Sequence, residues 1–216
     1  MFLERTATMT KIVRDVLRGA VLALTVAGAT MLPAAAQERT LMLYGDSLMA
    51  GLGLSEQDGF AGQLQAELGE DVTIINASVS GDTSADGLAR LDWSLGERPD
   101  AVVLGLGAND MLQGLPVEAM RENLPTILER FEAENIPVLL AGMRASPSLG
   151  SDYVRAYEAV FPELAARFDT GFYPFFLDGV AANAALNQAD GMHPNARGVN
   201  TIVSGILPEV RALLAR

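Results

Sequence analysis

The chain has 216 residues, no cysteine, a single histidine and a formal net charge of −12. The absence of cysteine excludes a thiol nucleophile and thiolate metal sites, and one histidine cannot form a multi-histidine metal site. An acidic protein repels phosphate backbones and anionic membrane surfaces, which argues against nucleic-acid binding.

Residues 1–36 have the pattern of a secretory signal peptide. A basic stretch at 11–18 precedes an apolar run at 20–27 and small residues that end at Ala36. This order predicts cleavage after Ala36, which would leave residues 37–216 as a mature chain in the periplasm or outside the cell. The alternative is an uncleaved anchor. The apolar run is short for a bilayer span, which needs roughly 20 residues, so we expect no stable membrane insertion.

Removal of this segment changes the composition of the chain. The segment carries a net charge of +2, so its loss lowers the formal net charge from −12 to −14. It also contains Lys11, the only lysine, which excludes a lysine base or Schiff base in the mature chain. No repeat or linker divides residues 37–216. We therefore predict a single domain with a sizeable core, and we expect a monomer.

Five short apolar runs predict β-strands, at residues 41–44, 72–75, 101–106, 137–141 and 172–176. The runs are continuously apolar rather than alternating, as expected for strands that are covered on both faces. Stretches that favour helices lie between and after them, at residues 59–68, 83–95, 117–134, 153–168 and 196–214. This alternation predicts a three-layer α/β/α fold with a parallel sheet.

Small polar residues follow each of the first three predicted strands. Gly45-Asp46-Ser47 follows the first, residues 76–82 follow the second, and Gly107-Ala108-Asn109-Asp110 follows the third. Ligands of parallel α/β sheets bind beyond the carboxyl ends of the strands. The sequence therefore predicts a site at this edge of the sheet.

Ser47 is the candidate nucleophile at this edge, but a serine hydroxyl needs a base to remove its proton. The only histidine, His193, follows Asp190 by three residues in a loop that contains glycine and proline. The aspartate can accept from one ring nitrogen while the other faces Ser47, as in a Ser-His-Asp triad. The Gly-x-Ser-x-Gly elbow is absent around Ser47, so a different hydrolase layout is required. The alternative for His193 is a surface or core histidine without a catalytic role.

Acyl transfer also needs hydrogen-bond donors for the developing oxyanion. The candidates are the backbone N–H of Ser47, the backbone N–H of Gly81 and the side-chain amide of Asn109. Gly81 has no side chain to keep a ligand away from its backbone. The alternatives are an ordinary loop glycine at Gly81 and a helix cap at Asn109.

Four blocks of the sequence resemble those of the GDSL, or SGNH, hydrolases, and they occur in the same order as in that family. The blocks are residues 45–48, 76–83, 107–110 and 190–195. Longer stretches around them are similar to the bacterial periplasmic branch of thioesterases, arylesterases and lysophospholipases.

The resemblance implies a flavodoxin-like fold with a central five-stranded parallel sheet, and hydrolysis of small-molecule acyl esters or thioesters without a metal or cofactor. It makes Ser47 the nucleophile, His193 the base and Asp190 the acid that orients the histidine. It assigns the oxyanion hole to Ser47, Gly81 and Asn109.

The sequence departs from the family pattern in two places. Gly107-Ala108 replaces the usual glycine pair before Asn109, and the loop at 143–150 lacks an Asn-Tyr-Gly run. These departures concern substrate preference rather than the catalytic assignment. The methionines are most simply core residues, but three of them follow strand ends and are candidates for lining an acyl site: Met49, Met111 and Met143.

Two alternative functions remain at this point. One is a carbohydrate O-acetylesterase of the same fold, whose pocket would admit only acetyl groups. The other is a binding module without catalysis, either for flavin or as an inactive hydrolase relative. Flavin binding favours a phosphate-cradling loop rich in serine and threonine after the first strand, and residues 45–48 provide little of that.

Overall fold

Five parallel β-strands form the centre of the computed structural model, which describes residues 38–216. The predicted signal peptide, residues 1–36, lies outside the described residues. The strands are β1 (Arg39–Gly45), β2 (Val72–Asn76), β3 (Ala101–Gly105), β4 (Val138–Ala141) and β5 (Gly171–Tyr173). Their order in the sheet is β2-β1-β3-β4-β5, and each neighbouring pair is parallel.

Helices cover both faces of the sheet, which confirms the predicted α/β/α architecture. They are α1 (Ser47–Ala50), α2 (Phe60–Leu68), α3 (Ser84–Leu95), α4 (Ala108–Leu112), α5 (Val117–Ala133), α6 (Ser151–Phe168) and α7 (Ala196–Leu214). A short 3₁₀ turn, Pro147–Leu149, precedes α6. Within residues 38–216, no helix is both long and apolar enough to cross a bilayer.

The side chains of β1 point alternately into two cores. Leu41 and Leu43 are fully buried in the core formed with α2 and α7. Met42 and Tyr44 are fully buried on the opposite face, in the core formed with α3, α5 and α6. Burial of each large apolar side chain contributes about 1.5–3 kcal/mol, so both faces of β1 stabilise the sheet.

The fifth strand is shorter than predicted and begins one residue earlier. The apolar run predicts a strand over 172–176, whereas β5 ends at Tyr173. Pro174 has no N–H to donate to a neighbouring strand. The chain turns there instead, and the N–H of Phe176 donates to the Gly142 carbonyl at 2.9 Å. This turn directs the following residues over the carboxyl edge of the sheet.

Two helices begin directly after loops at that edge. Thr83 caps α3 through a reciprocal pair of hydrogen bonds with Asp86. Asn195 caps α7, and its side-chain oxygen accepts from the N–H groups of Arg197 and Gly198. The caps fix the ends of residues 76–82 and 190–194, the loops that carry Gly81, Asp190 and His193.

Candidate active site

Ser47 lies at the carboxyl end of β1 as the first residue of α1. Asp46 has an extended backbone and caps the helix, with its side chain accepting from the Leu48 N–H at 3.0 Å. The chain therefore changes from strand to helix within one residue. Ser47 is 9% exposed and lines a cavity at this edge of the sheet.

His193 meets Ser47 across this edge, with its Nε2 atom 2.9 Å from the Ser47 Oγ. The histidine belongs to a loop closed by an antiparallel bridge between Asn187 and Pro194. Within the loop, the N–H of Gln188 donates to the His193 carbonyl at 2.8 Å. These bonds hold the backbone of the loop at His193, whose side chain is 17% exposed.

Asp190 holds the other side of the His193 ring. Its Oδ2 lies 2.7 Å from Nδ1 of His193. Its Oδ1 accepts from the backbone N–H groups of Met192, at 2.9 Å, and His193, at 3.0 Å. These hydrogen bonds, from the His193 and Met192 N–H groups first and then from the ring, lower the pKa of Asp190 to about 2. The carboxylate is therefore ionised at neutral pH.

Gln188 connects the segment after Ser47 to the loop of His193, a role the sequence did not indicate. Its side-chain nitrogen donates to the carbonyls of Leu52, at 2.8 Å, and Pro194, at 3.0 Å. Glutamine is common in exposed loops, so its presence in the sequence does not indicate these two hydrogen bonds.

Asn109 is part of the same site, on α4 beyond the end of β3. Its Nδ2 donates to the Asp82 carbonyl at 2.9 Å and lies 3.4 Å from Oδ2 of Asp46. Gly81 directly precedes Asp82 and has a φ of +92°, in the left-handed region that favours glycine. It does not line the cavity of Ser47, and within residues 38–216 no hydrogen bond joins it to Ser47.

The structure explains why glycine is needed at residue 107 but not at residue 108. Gly107 has a φ of +116°, and a Cβ there would lie 2.7 Å from Cε of Met120. Ala108 is the first residue of α4, where a methyl group is compatible with helical backbone. Only the first position of the pair therefore requires glycine in this chain.

The cavity beside Ser47 has a volume of about 440 Å³ and a largely apolar wall. Ser47, Asn109 and His193 line it together. Its apolar wall includes Leu48, Met111, Leu112, Met143, Phe175, Leu177 and Met192. Two of the three candidate methionines therefore line it. Met49 does not, because its side chain is 1% exposed in the core below the edge of the sheet.

A larger cavity, of about 510 Å³, contains none of the predicted site residues. Arg39 and Asp100, at the amino ends of β1 and β3, contribute to its wall. It therefore lies at the opposite edge of the sheet from Ser47.

Arg90 has a different environment from the one its position predicts. Near the end of a predicted helix, we expect a surface or packing residue. Instead, its side chain is 21% exposed and forms an ion pair with Asp82, which is largely buried. The two residues lie eight apart, on either side of the Thr83 cap. Asp82 directly precedes the cap, and Arg90 lies about two helical turns after it. This spacing of opposite charges is the signal that could have indicated the ion pair.

The fold and the polar edge are those of an ester hydrolase of the three-layer α/β type, and comparison with known proteins agrees. Residues 43–200 match the model of the GDSL-like Lipase/Acylhydrolase family. The chain belongs to this family, so the resemblance noted in the sequence is confirmed.

Individual relatives indicate the chemistry. The chain is 39% identical over 183 residues to the esterase TesA of Pseudomonas aeruginosa, covering 83% of this chain and 91% of that protein. It is 38% identical over 162 residues to the thioesterase 1/protease 1/lysophospholipase L1 of Escherichia coli K12, covering 74% and 78%. The crystal structure of esterase EstA from Pseudoalteromonas sp., inhibited by monoethylphosphonate, matches with a TM-score of 0.77 at 32% identity, covering 82% and 100%. This chain is a hydrolase that acts on ester bonds.

Proposed function

We propose that the protein is an exported serine hydrolase of carboxylic esters and thioesters, with Ser47 as nucleophile, His193 as base and Asp190 as the acid that orients the base. The observation that carries this proposal is the continuous contact from Asp190 through His193 to Ser47, at 2.7 and 2.9 Å, in the wall of an apolar cavity.

In this mechanism, Nδ1–H of His193 donates to the ionised Asp190, which leaves Nε2 free to accept the Ser47 proton. The Ser47 oxygen attacks the acyl carbonyl, and His193 then protonates the departing alcohol or thiol. A water molecule, deprotonated by His193, attacks the acyl-enzyme, and the acid is released as the bond to the Ser47 oxygen breaks and His193 returns the proton to that oxygen. Asp190 stabilises the charged imidazolium at both steps.

The oxyanion would be held by the N–H groups of Ser47 and Gly81 and the amide of Asn109. Neither N–H group has an acceptor within residues 38–216, and Gly81, although outside the wall of the cavity, directly precedes Asp82, whose carbonyl accepts from Asn109. Asn109 shares the cavity with Ser47. Hydrogen-bond donors that are held in place lower the activation free energy most when they face the negative charge that develops in the transition state.

The test is covalent labelling with a fluorophosphonate, which reacts with activated serines. We expect one adduct, on the peptide that contains Ser47, and parallel loss of p-nitrophenyl butyrate hydrolysis. Ser47→Ala should lose both signals while Ser55→Ala, at an exposed serine bonded to Asp58, retains them. Normal turnover by a folded Ser47→Ala protein would refute the nucleophile.

The apolar cavity favours acyl chains longer than acetyl over an O-acetylesterase function. A series of p-nitrophenyl esters from acetate to decanoate, compared with acetylated sugars, separates the two substrates. We expect kcat/KM to rise beyond acetate. Activity restricted to acetyl groups would instead support the O-acetylesterase.

Export would place this activity in the periplasm or outside the cell. We propose that residues 1–36 are the signal and that residues 37–216 form the mature hydrolase, acting as a monomer. Expression in a Gram-negative host, followed by mass measurement of the periplasmic protein, should give a chain that begins at Gln37. Light scattering of that material should give the mass of one chain.

A further inference from the structure

The side chain of Arg90, on α3, connects the end of β1 to the loop of residues 76–82. Its guanidinium donates to the Gly45 carbonyl at 3.2 Å, at the end of β1. It also donates to the Ala77 carbonyl and to the carboxylate of Asp82, in the loop that carries Gly81. The guanidinium carbon lies 4.2 Å from the centre of the Tyr44 ring.

Asp82 extends this connection to Asn109. Its carboxylate accepts from Arg90, and its backbone carbonyl accepts from Nδ2 of Asn109 at 2.9 Å. Asp82 is 8% exposed and directly follows Gly81. The Arg90 guanidinium thereby fixes Asp82. Asp82 in turn bonds the Asn109 amide and directly follows Gly81.

The geometry of these contacts requires arginine rather than any cation. The guanidinium is a rigid plane with donors in several directions, so it can bond two carbonyls and a carboxylate at once while its face lies on a ring. A lysine ammonium is a single charged point on a flexible chain. It can pair with Asp82, but it cannot reproduce this set of contacts.

We propose that Arg90 is a positioning residue that sets the Asn109 amide of the oxyanion hole through Asp82. Arg90 does not line the cavity of Ser47, so it reaches the oxyanion hole only through residues that it bonds, and its connection to Asn109 runs through Asp82. This inference rests on the proposed function, in which Asn109 and Gly81 stabilise the oxyanion.

The experiment is a double-mutant cycle between Arg90→Gln and Asn109→Ala, measured with p-nitrophenyl butyrate. Arg90→Gln should lower kcat on the order of 10-fold to 100-fold with KM nearly unchanged, as expected for misplaced catalytic groups. In the Asn109→Ala background, the same substitution should lower kcat much less, because the amide it positions is already absent.

Two further variants separate positioning from general loss of structure. Arg90→Lys keeps the charge and the fold but should recover little of kcat, and circular dichroism and thermal melting report its fold. Arg130→Gln removes an exposed ion pair with Asp92 on the neighbouring helix and should leave kcat unchanged.

Three outcomes overturn the inference or part of it, and they are distinguishable. If Asn109→Ala strongly lowers kcat and the effects of the two substitutions multiply, Arg90 does not act through Asn109 and only this inference fails. If Asn109→Ala alone leaves kcat unchanged, the oxyanion assignment fails and the role of Arg90 fails with it. Full kcat in a folded Arg90→Lys protein also overturns the requirement for arginine.

Discussion

The buried carboxylate of Asp46 lies 3.4 Å from the amide nitrogen of Asn109, directly beneath the catalytic edge. Asp46 is 2% exposed, and burial raises the pKa of its carboxyl to about 6. The Leu48 N–H and His193 oppose this rise, whereas the nearby Asp82 and Asp110 add to it. The negative charge of Asp46 therefore destabilises the folded protein.

This cost makes stability depend on pH. The carboxyl has a pKa of 3.8 unperturbed and about 6 in the fold, so between these values the folded state binds more protons than the unfolded chain. Its stabilising contribution is full below pH 3.8 and is lost as pH rises through about 6. The difference corresponds to about 3 kcal/mol.

Asp46→Asn should remove this loss, because asparagine keeps an acceptor for the Leu48 N–H but cannot ionise. We expect the variant to gain about 3 kcal/mol relative to the parent protein between pH 4 and pH 7. Urea unfolding at four pH values measures this gain, with Asp71→Asn as the control at an exposed carboxyl. Parallel stability curves for the two proteins would contradict it.

Asn109→Ala tests the oxyanion role directly. Loss of one oxyanion donor should lower kcat by roughly 10²–10³-fold with little change in KM, because the donor acts mainly in the transition state. Steady-state kinetics with p-nitrophenyl butyrate gives both constants. Asn200→Ala, at an exposed position on α7, is the matched control. A rise in KM alone would make Asn109 a residue that positions substrate.

Asp190→Asn tests the orientation of His193. The asparagine can present an N–H to Nδ1, which favours the tautomer that carries its proton on Nε2 and cannot accept from Ser47. We expect kcat to fall on the order of 10³–10⁴-fold, as for the same change in other triads. Asp178→Asn, also exposed, should retain activity. A loss of less than tenfold would show that the backbone of the loop alone orients the ring.

Much of the fold could be predicted because the strands are continuous apolar runs. β1 and β3 are buried on both faces, so their sequences are mostly apolar, and the small polar residues at 45–47 and 107–110 mark the strand ends. The predicted fifth strand is too long at its carboxyl end because an apolar run indicates that residues are buried, not that they pair with a neighbouring strand. Pro174 ends the pairing while Phe176 remains buried.

A residue of the site could be predicted from the sequence where its residue type or its spacing from a partner residue is distinctive. His193 is the only histidine and lies near Asp190, so its candidacy followed from composition and spacing. Arg90 and Gln188 were not predictable in the same way. Apart from the ion pair of Arg90 with Asp82, their contacts are with backbone carbonyl groups of other segments, which any residue type supplies, so the sequence of the partner segments does not indicate them.

Gly107→Ala should destabilise the protein more than the change of one methyl group suggests. The left-handed φ of +116° strains any residue with a Cβ, and the added methyl would meet Met120 at 2.7 Å. The backbone conformation should cost about 1–3 kcal/mol, whereas the end of the flexible Met120 side chain can move away from the added methyl group. Ala108→Gly, at the start of α4, should cost only about 0.5–1 kcal/mol. Urea unfolding of both variants measures the contrast. Equal losses would mean that the loop before Asn109 tolerates a side chain at either position of the pair.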